Sequence, residues 1–302
     1  MSEASLAMQT VRKRWGAPLP FAWRGPGLLL APALLYYLLI LVLPAGLFCL
    51  VSFYQRSDTG FYDPIFTLQN YASALGDAFY LRSLWLSLRL SLETTAACLL
   101  IGYPAAYQLS RCSARVRKLF LILLLFPLLL STVIRAYGWI ALLGRRGFIN
   151  QILLDNGWTD FPIPFLYTQT TVLVGLISIL LPYMIINITN TLVTIDPALR
   201  EAATIHGAGP WKTFVNVTLP LSRAGMISGS VIVFTIAMST YIISFLLGGP
   251  RVKLMGNLIF DFTSSFNWPM GAAMSVVLVT ATTIGCQTMM RLLGDKSQEH
   301  AR

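Results

Sequence analysis

Charge is scarce in this sequence, and so is almost everything a catalytic centre is built from. Charged residues make up 11% of the chain, against about 25% in a soluble domain. Two histidines, His206 and His300, and four cysteines, Cys49, Cys98, Cys112 and Cys286, are scattered without a CxxC. That pattern offers neither a disulfide framework nor a metal site, and it leaves a membrane-embedded enzyme without a nucleophile or metal constellation. No GxxxxGK[ST] is present: in Gly294-Asp295-Lys296-Ser297, Asp295 replaces the glycine before lysine. The chain therefore has no phosphate-binding loop of its own. Only one acid, Glu93, falls inside a long apolar run. Self-sufficient ion-coupled carriers usually show intramembrane acids and paired, broken repeats, and neither pattern is visible.

What is abundant is apolar side chain, at 56% of the residues. It falls in runs long enough to cross a bilayer, which takes about 20 residues at 1.5 Å each. The sequence predicts an all-α integral membrane protein with six spans, near 28–53, 84–110, 118–143, 170–194, 221–247 and 272–293. The membrane domain is 28–294, flanked by polar tails 1–27 and 295–302. The basic stretch 1–27 and the length of the first run argue against a cleaved secretory signal.

The net charge of +10 reads as topology and not as nucleic-acid binding, because the basic residues sit between the apolar runs. With both termini cytoplasmic, fourteen Lys/Arg lie inside and six outside, with Arg89 and Arg135 in the membrane. The excess belongs on the cytoplasmic side. Residues 54–83 are then a long outer loop and 195–220 a long inner one.

The inner loop has its own helix signals. Asp196-Pro197 suits a cap followed by a first helical residue. Leu199, Ala202, Ala203 and His206 follow on one helical face. Gly207 suits a left-handed helix end, and Gly209-Pro210 turns the chain before a second short helix, Trp211 to Val217. A small-residue face fits docking into a partner's groove. A helix lying on lipid headgroups is the alternative, although Arg200 is the one cation it offers.

The charges inside the membrane form a second candidate site. Arg89 and Glu93 are an (i, i+4) pair, and Arg135 in the third run lies at a matching depth. A buried cation costs about 2.5–3.5 kcal/mol on insertion scales, so partners are expected. Glu93 and Arg135, with Tyr183, Asn187 and Asn190 in the fourth run and Ser239, Thr240, Tyr241 and Ser244 in the fifth, are candidates to line or gate a path. A static salt bridge and ordinary helix packing are the alternatives.

Glu201-Ala202-Ala203, three residues, Gly207, nine residues, then Val217-Thr218-Leu219-Pro220 resembles the EAA signature of ABC importer permeases, EAA-x3-G-x9-I-x-LP, with Val217 for Ile. Further segments resemble the spermidine/putrescine-type branch. They are Thr67-Leu68-Gln69-Asn70-Tyr71, Gly102-Tyr103-Pro104, Arg135-Ala136-Tyr137-Gly138-Trp139, Gly147-Phe148-Ile149-Asn150 and Leu247-Gly248-Gly249. Ser244 departs from that branch, whose members often carry Pro a few residues before the Gly-Gly.

The resemblance implies the six-helix type I permease fold and transport of a small, polyamine-like solute by alternating access across a bacterial inner membrane. It implies that Glu201, Ala202, Ala203, Gly207, Leu219 and Pro220 couple to an ATPase. The partners it implies are a second permease subunit, commonly a different chain, two ATP-binding subunits and a periplasmic solute-binding protein. No cofactor is then expected on this chain, and ATP and Mg belong to the ATPase subunits.

Overall fold

The computed structural model describes residues 26–57 and 60–294. Most of the expected N-terminal tail, and all of the expected tail 295–302, lie outside them. The chain divides into two compact units, split between Leu50 and Val51. The first unit is one apolar rod: α1 (Pro26–Tyr37), a π turn (Leu38–Val42) and α2 (Leu43–Val51). Its Pro32–Val51 stretch is long and apolar enough to cross a membrane and has no buried residue.

The second unit opens with a small hairpin, β1 (Tyr54–Gln55) antiparallel to β2 (Asp63–Phe66), pairing Tyr54 with Phe66 and Gln55 with Asp63 across an irregular register. Helix α3 (Gln69–Gly76) follows. Asn70 Nδ2 donates to the carbonyls of Ser52 (3.0 Å) and Tyr54 (2.8 Å), and the Tyr71 hydroxyl lies 2.6 Å from Ser52 Oγ. Asp77 then caps α4 (Ala78–Arg111) by accepting from the Phe79 amide at 2.8 Å.

Three long helices form the core: α4, α8 (Gln169–Thr194) and α11 (Arg223–Ser239). Their facing side chains include Leu90, Cys98, Leu176, Met184, Ile188 and Val233, all buried. Gly225 and Gly229 let α11 approach α8 closely. A Cβ at Gly225 would lie 2.5 Å from Thr191 Oγ1 and 3.0 Å from the Asn187 carbonyl, and one at Gly229 would lie 2.8 Å from Met184 Sδ. This is the small-xxx-small packing that membrane helices use. A second cluster, around Phe234, Met238, Leu258 and Met274, joins α11 to α12 (Met255–Ser264) and α13 (Trp268–Gly294).

Two predicted spans are not straight helices. The third run is broken into α5 (Ala114–Leu129) and α6 (Thr132–Leu143), and α5 meets the whole stretch Thr132–Asp155 at 90°. Leu130 and Ser131 take extended ψ values of 140° and 135°, and Ser131 stands at the N-cap position where serine is favoured. The fifth run is regular only to Ser239. Thr240 is extended (ψ 133°), and the chain re-enters a π turn at Ser244–Gly248. Helix α7 (Phe148–Asp155) follows α6, and buried Asn150 fixes the loop after it. Its Nδ2 donates to the carbonyls of Gly144 and Ile163, and its Oδ1 accepts from the Ile163 amide at 2.9 Å. Helix α12 lies in a stretch that the periodicity left as loop. Among the described residues, four helices are long and apolar enough to cross a membrane, or six spans with each bent pair taken as one.

Candidate functional site

The loop between α8 and α11 is an ordered helical hairpin. Asp196 accepts from the Ala198 amide at 2.9 Å and starts α9 (Pro197–Ile205), with Pro197 in the first turn. The helix ends at Gly207, whose φ is +78°. The Gly207 amide donates to the Thr204 carbonyl and the Ala208 amide to that of Ala203, both at 3.0 Å. This paired closure needs a left-handed residue after the cap, which glycine adopts freely. Nothing lies within 4 Å of a Cβ placed there, so conformation and not space selects glycine.

Helix α10 (Pro210–Thr213) then runs through a π turn (Phe214–Thr218) and one further turn, Leu219–Leu221. This continuous stretch, Pro210–Leu221, meets α11 at 58°. The second short helix is therefore longer than Trp211 to Val217, and Leu219-Pro220 closes it before the bend.

The hairpin rests on the adjacent end of α4 through aromatic rings. Phe214 packs edge-on against Tyr103 (5.8 Å) and Tyr107 (5.2 Å) and stacks with Trp211 (5.7 Å). The Arg111 guanidinium sits 5.4 Å from the Tyr107 ring centroid. At the bend, buried Ser222 Oγ donates to the Leu219 carbonyl (2.9 Å) and lies 2.9 Å from the Tyr103 hydroxyl. Leu219 and Pro220 are half-buried here.

Much of the hairpin is exposed. Glu201, Ala202 and His206 are exposed and Ala203 is half-buried. Ile205 is 83% exposed, Trp211 75% and Leu199 48%. The hairpin thus exposes three large apolar side chains together with Ala202 and Glu201, and exposed apolar surface can serve an interaction.

The membrane charges fall into one pair and one separate residue. Arg89 Nε and Glu93 Oε1 lie 2.7 Å apart on α4. Arg135 joins neither: among the described residues it makes no ion pair, and its Nε and Nη1 are buried without a hydrogen-bond partner. Helix α6 packs on α7, the Ser244–Gly248 turn and α8. Trp139 Nε1 donates to Ser178 Oγ at 3.0 Å across the α6–α8 contact.

Of the other path candidates, Tyr183 on α8 lies within electrostatic reach of Arg135. Asn187 Nδ2 donates to the Tyr183 carbonyl at 2.8 Å, and its Oδ1 accepts from Ser228 Oγ at 3.5 Å. Asn190 is exposed. Ser239 Oγ donates to the Ile236 carbonyl. Thr240 and Tyr241 form the break after α11, with the Tyr241 ring stacked on Phe260 at 5.0 Å. Buried Ser244 donates to the Val252 carbonyl at 2.7 Å and so ties the turn to the loop beyond it.

The sequence reading did not find the Tyr103–Ser222 link, the Phe214 cluster or the Lys253–Asp261 ion pair of 2.7 Å. Gly102-Tyr103-Pro104 was a visible signal for the first. The last two depend on residues far apart in sequence or lie in a stretch without helical periodicity.

The described residues form a bundle of apolar helices long enough to span a membrane, two of them broken, with a helical hairpin between α8 and α11. The family described as binding-protein-dependent transport system inner membrane component matches residues 99–294. The spermidine/putrescine transport system permease protein PotB of Escherichia coli (strain K12) is 37% identical over 244 residues, 80% of this chain and 88% of the relative. PotB of Haemophilus influenzae is 38% identical, over 81% and 85%. The molybdenum transport system permease protein ModB of E. coli K12 is 32% identical, over 52% and 69%.

Among solved structures, a bacterial ABC transporter involved in the import of the acidic polysaccharide alginate matches with a TM-score of 0.66. It is 17% identical and covers 97% of this chain and all of that one, so it shares the fold. The chain belongs to the family of inner-membrane permease components of binding-protein-dependent ABC importers. It is a multi-pass membrane subunit of the type I permease fold, and in this family ATP hydrolysis belongs to a separate ATPase subunit.

Proposed function

We propose that this chain imports a polyamine-like cation, with the hairpin Asp196–Leu221 as its coupling element. The exposure of Leu199, Ala202, Ile205 and Trp211 is the observation that carries the coupling role. Phe214 is spent on Tyr103 and Tyr107, and the exposed side chains are left for a partner groove. Glu201 stands at the rim for a basic residue of the ATPase.

The full assembly has two permease subunits, this chain and a second, different one, over two ATP-binding subunits, with a periplasmic solute-binding protein on the far side. ATP and Mg bind the ATPase subunits and no cofactor binds here. Both termini and the coupling hairpin are cytoplasmic, and the outer loop that holds β1, β2 and α3 is periplasmic, by the Lys/Arg excess. Closure of the ATPases pushes the hairpin. Phe214 and Ser222 pass that displacement to α4 and α11, and the breaks at Leu130–Ser131 and Thr240–Tyr241 are the places where the spans can swing. The polyamine substrate is supported by the identity of 36–38% to relatives named for spermidine and putrescine. Uptake of labelled spermidine and putrescine is measured in a strain without its own polyamine importers, expressing this chain with its operon partners. ATP-dependent uptake lost on deletion of this chain supports the reading. Uptake of neither amine, while another solute is transported, overturns the substrate.

A further inference from the structure

Two cavities open at the end of the bundle away from the coupling hairpin, and their charges differ. Both are next to the start of α8, a helix roughly 39 Å long at 1.5 Å per residue whose other end leads into Asp196. They share Tyr167 and Pro250 as a common wall. The first, about 590 Å³, carries Arg145 and Arg251 and no acid. The second, about 440 Å³, is lined by Ile140, Tyr167, Phe245, Lys253, Asn257 and Asp261, and is within the roughly 300–1,000 Å³ range of small-molecule sites.

The second cavity is built with strain. Tyr167 has φ +64° and Gly249 φ +54°, and a Cβ at Gly249 would lie 2.5 Å from the Tyr167 ring. Tyrosine in the left-handed region costs free energy that is usually tolerated at functional sites. The strain holds the ring against the Gly249 backbone, while the Tyr167 amide donates to the Leu247 carbonyl at 2.8 Å.

Within this cavity the polar groups are unequally committed. Asn257 is held on both atoms: its Oδ1 accepts from the Leu254 amide and its Nδ2 donates to the Tyr241 carbonyl. Asp261, one helical turn further along α12, accepts from Lys253 Nζ through Oδ2 at 2.7 Å. Among the described residues its Oδ1 accepts no hydrogen bond. The pair is accessible, with side chains 39% and 43% exposed. A carboxylate with a free oxygen beside Tyr167 and Phe245 is the chemistry that holds an ammonium group, by charge and by the aromatic quadrupole.

We propose that Asp261 is a subsite for one terminal ammonium group of a linear di- or polyamine, and that Lys253 is a tethered stand-in for that group which the arriving amine displaces. The inference rests on the polyamine reading above and adds the residue that takes the amine. The lysine keeps the empty cavity neutral, so an incoming amine exchanges one N–H···carboxylate contact for another. The neighbouring cavity, with Arg145 and Arg251, repels the same ligand.

The test uses the complete transporter in cells, with membrane abundance followed by an epitope tag and the concentration dependence of putrescine uptake measured. Asp261→Asn is expected to raise the apparent KM at least tenfold at unchanged abundance, and Asp261→Glu to recover much of it. Lys253→Met removes the competitor and is expected to lower the KM severalfold. If Asp261→Asn alone fails to accumulate, the Lys253→Met/Asp261→Asn pair, which leaves neither charge unpartnered, is measured in its place with the same expectation. Putrescine uptake by the wild type with an unchanged KM in the Asp261→Asn or double variant overturns the subsite and leaves the polyamine reading standing. Absence of polyamine uptake in the wild type overturns both.

Discussion

The hydroxyl of Tyr103 lies 2.9 Å from Ser222 Oγ, joining side chains 119 residues apart at the point where the coupling hairpin becomes α11. The Ser222 hydroxyl also reaches the Leu219 carbonyl at 2.9 Å, so this bond sits directly on the turn before α11. Tyr103→Phe keeps the ring against Phe214 and removes this one bond, worth about 0.5–1.5 kcal/mol. The expected outcome is a permease of normal abundance whose ATPase partners still bind but whose uptake per ATP hydrolysed falls severalfold. Reconstituted transport and hydrolysis measured on one preparation check it, and an unchanged ratio removes Tyr103 from the transmission path.

The Gly225–Gly229 face makes a structural prediction. Gly229→Leu places a branched side chain where even a Cβ meets Met184 Sδ at 2.8 Å, and overpacking of this kind costs about 1–3 kcal/mol. Lower thermal stability in detergent is expected. Gly138→Leu, at a site where nothing lies within 4 Å of a Cβ, serves as the tolerated control. Equal melting points for the two variants would show that α11 does not depend on this close approach.

Arg89 and Glu93 predict a charge-repair pattern. Glu93→Gln leaves Arg89 without its 2.7 Å partner, and an unpaired cation in a span costs about 2.5–3.5 kcal/mol at the bilayer centre. Membrane abundance or uptake falls, and the double change Arg89→Gln/Glu93→Gln restores it, because neither charge is then left over. A silent Glu93→Gln disposes of the pair as a functional element.

The class and the hairpin were legible because they rest on local chemistry. Asp196-Pro197 and Gly207 announce a helix start and a left-handed stop within one short segment, and apolar runs announce spans. The breaks at Leu130–Ser131 and Thr240–Tyr241 were not legible, because the few small polar residues there, Ser131, Thr132, Ser239 and Thr240, are equally common inside straight membrane helices. Bilayer insertion selects for apolar content and not for straightness, so a hydropathy run hides a 90° bend. Arg135 shows a second limit: matching depth along two runs does not say which way each side chain faces, and among the described residues its Nε and Nη1 have no hydrogen-bond partner. Several weak motifs proved to be fastenings. Asn70 and Asn150 satisfy backbone groups of their loops, and Trp139 reaches Ser178. Ser244, where related chains often carry proline, uses its hydroxyl to hold the Val252 carbonyl.

The coupling hairpin carries the strongest prediction, because its two requirements can be separated by choice of residue. At Gly207 the requirement is conformational: φ is +78° with open space around the Cβ position. Asparagine tolerates that region and a β-branched residue does not. Gly207→Asn is therefore expected to keep most of the uptake and Gly207→Val to lose it, a contrast that side-chain size alone cannot produce. At Ala202 and Ala203 the requirement is steric, since a partner must approach a small-residue surface that is still half open. Ala203→Trp is expected to leave membrane insertion intact, to reduce co-purification of the ATPase and to abolish uptake, while Ala203→Ser stays near normal. Abundance, ATPase recovery and uptake are read in the same strains. If Gly207→Val and Ala203→Trp both transport like the wild type, the hairpin does not couple hydrolysis to transport, and its apolar surface at Leu199, Ile205 and Trp211 must serve another contact.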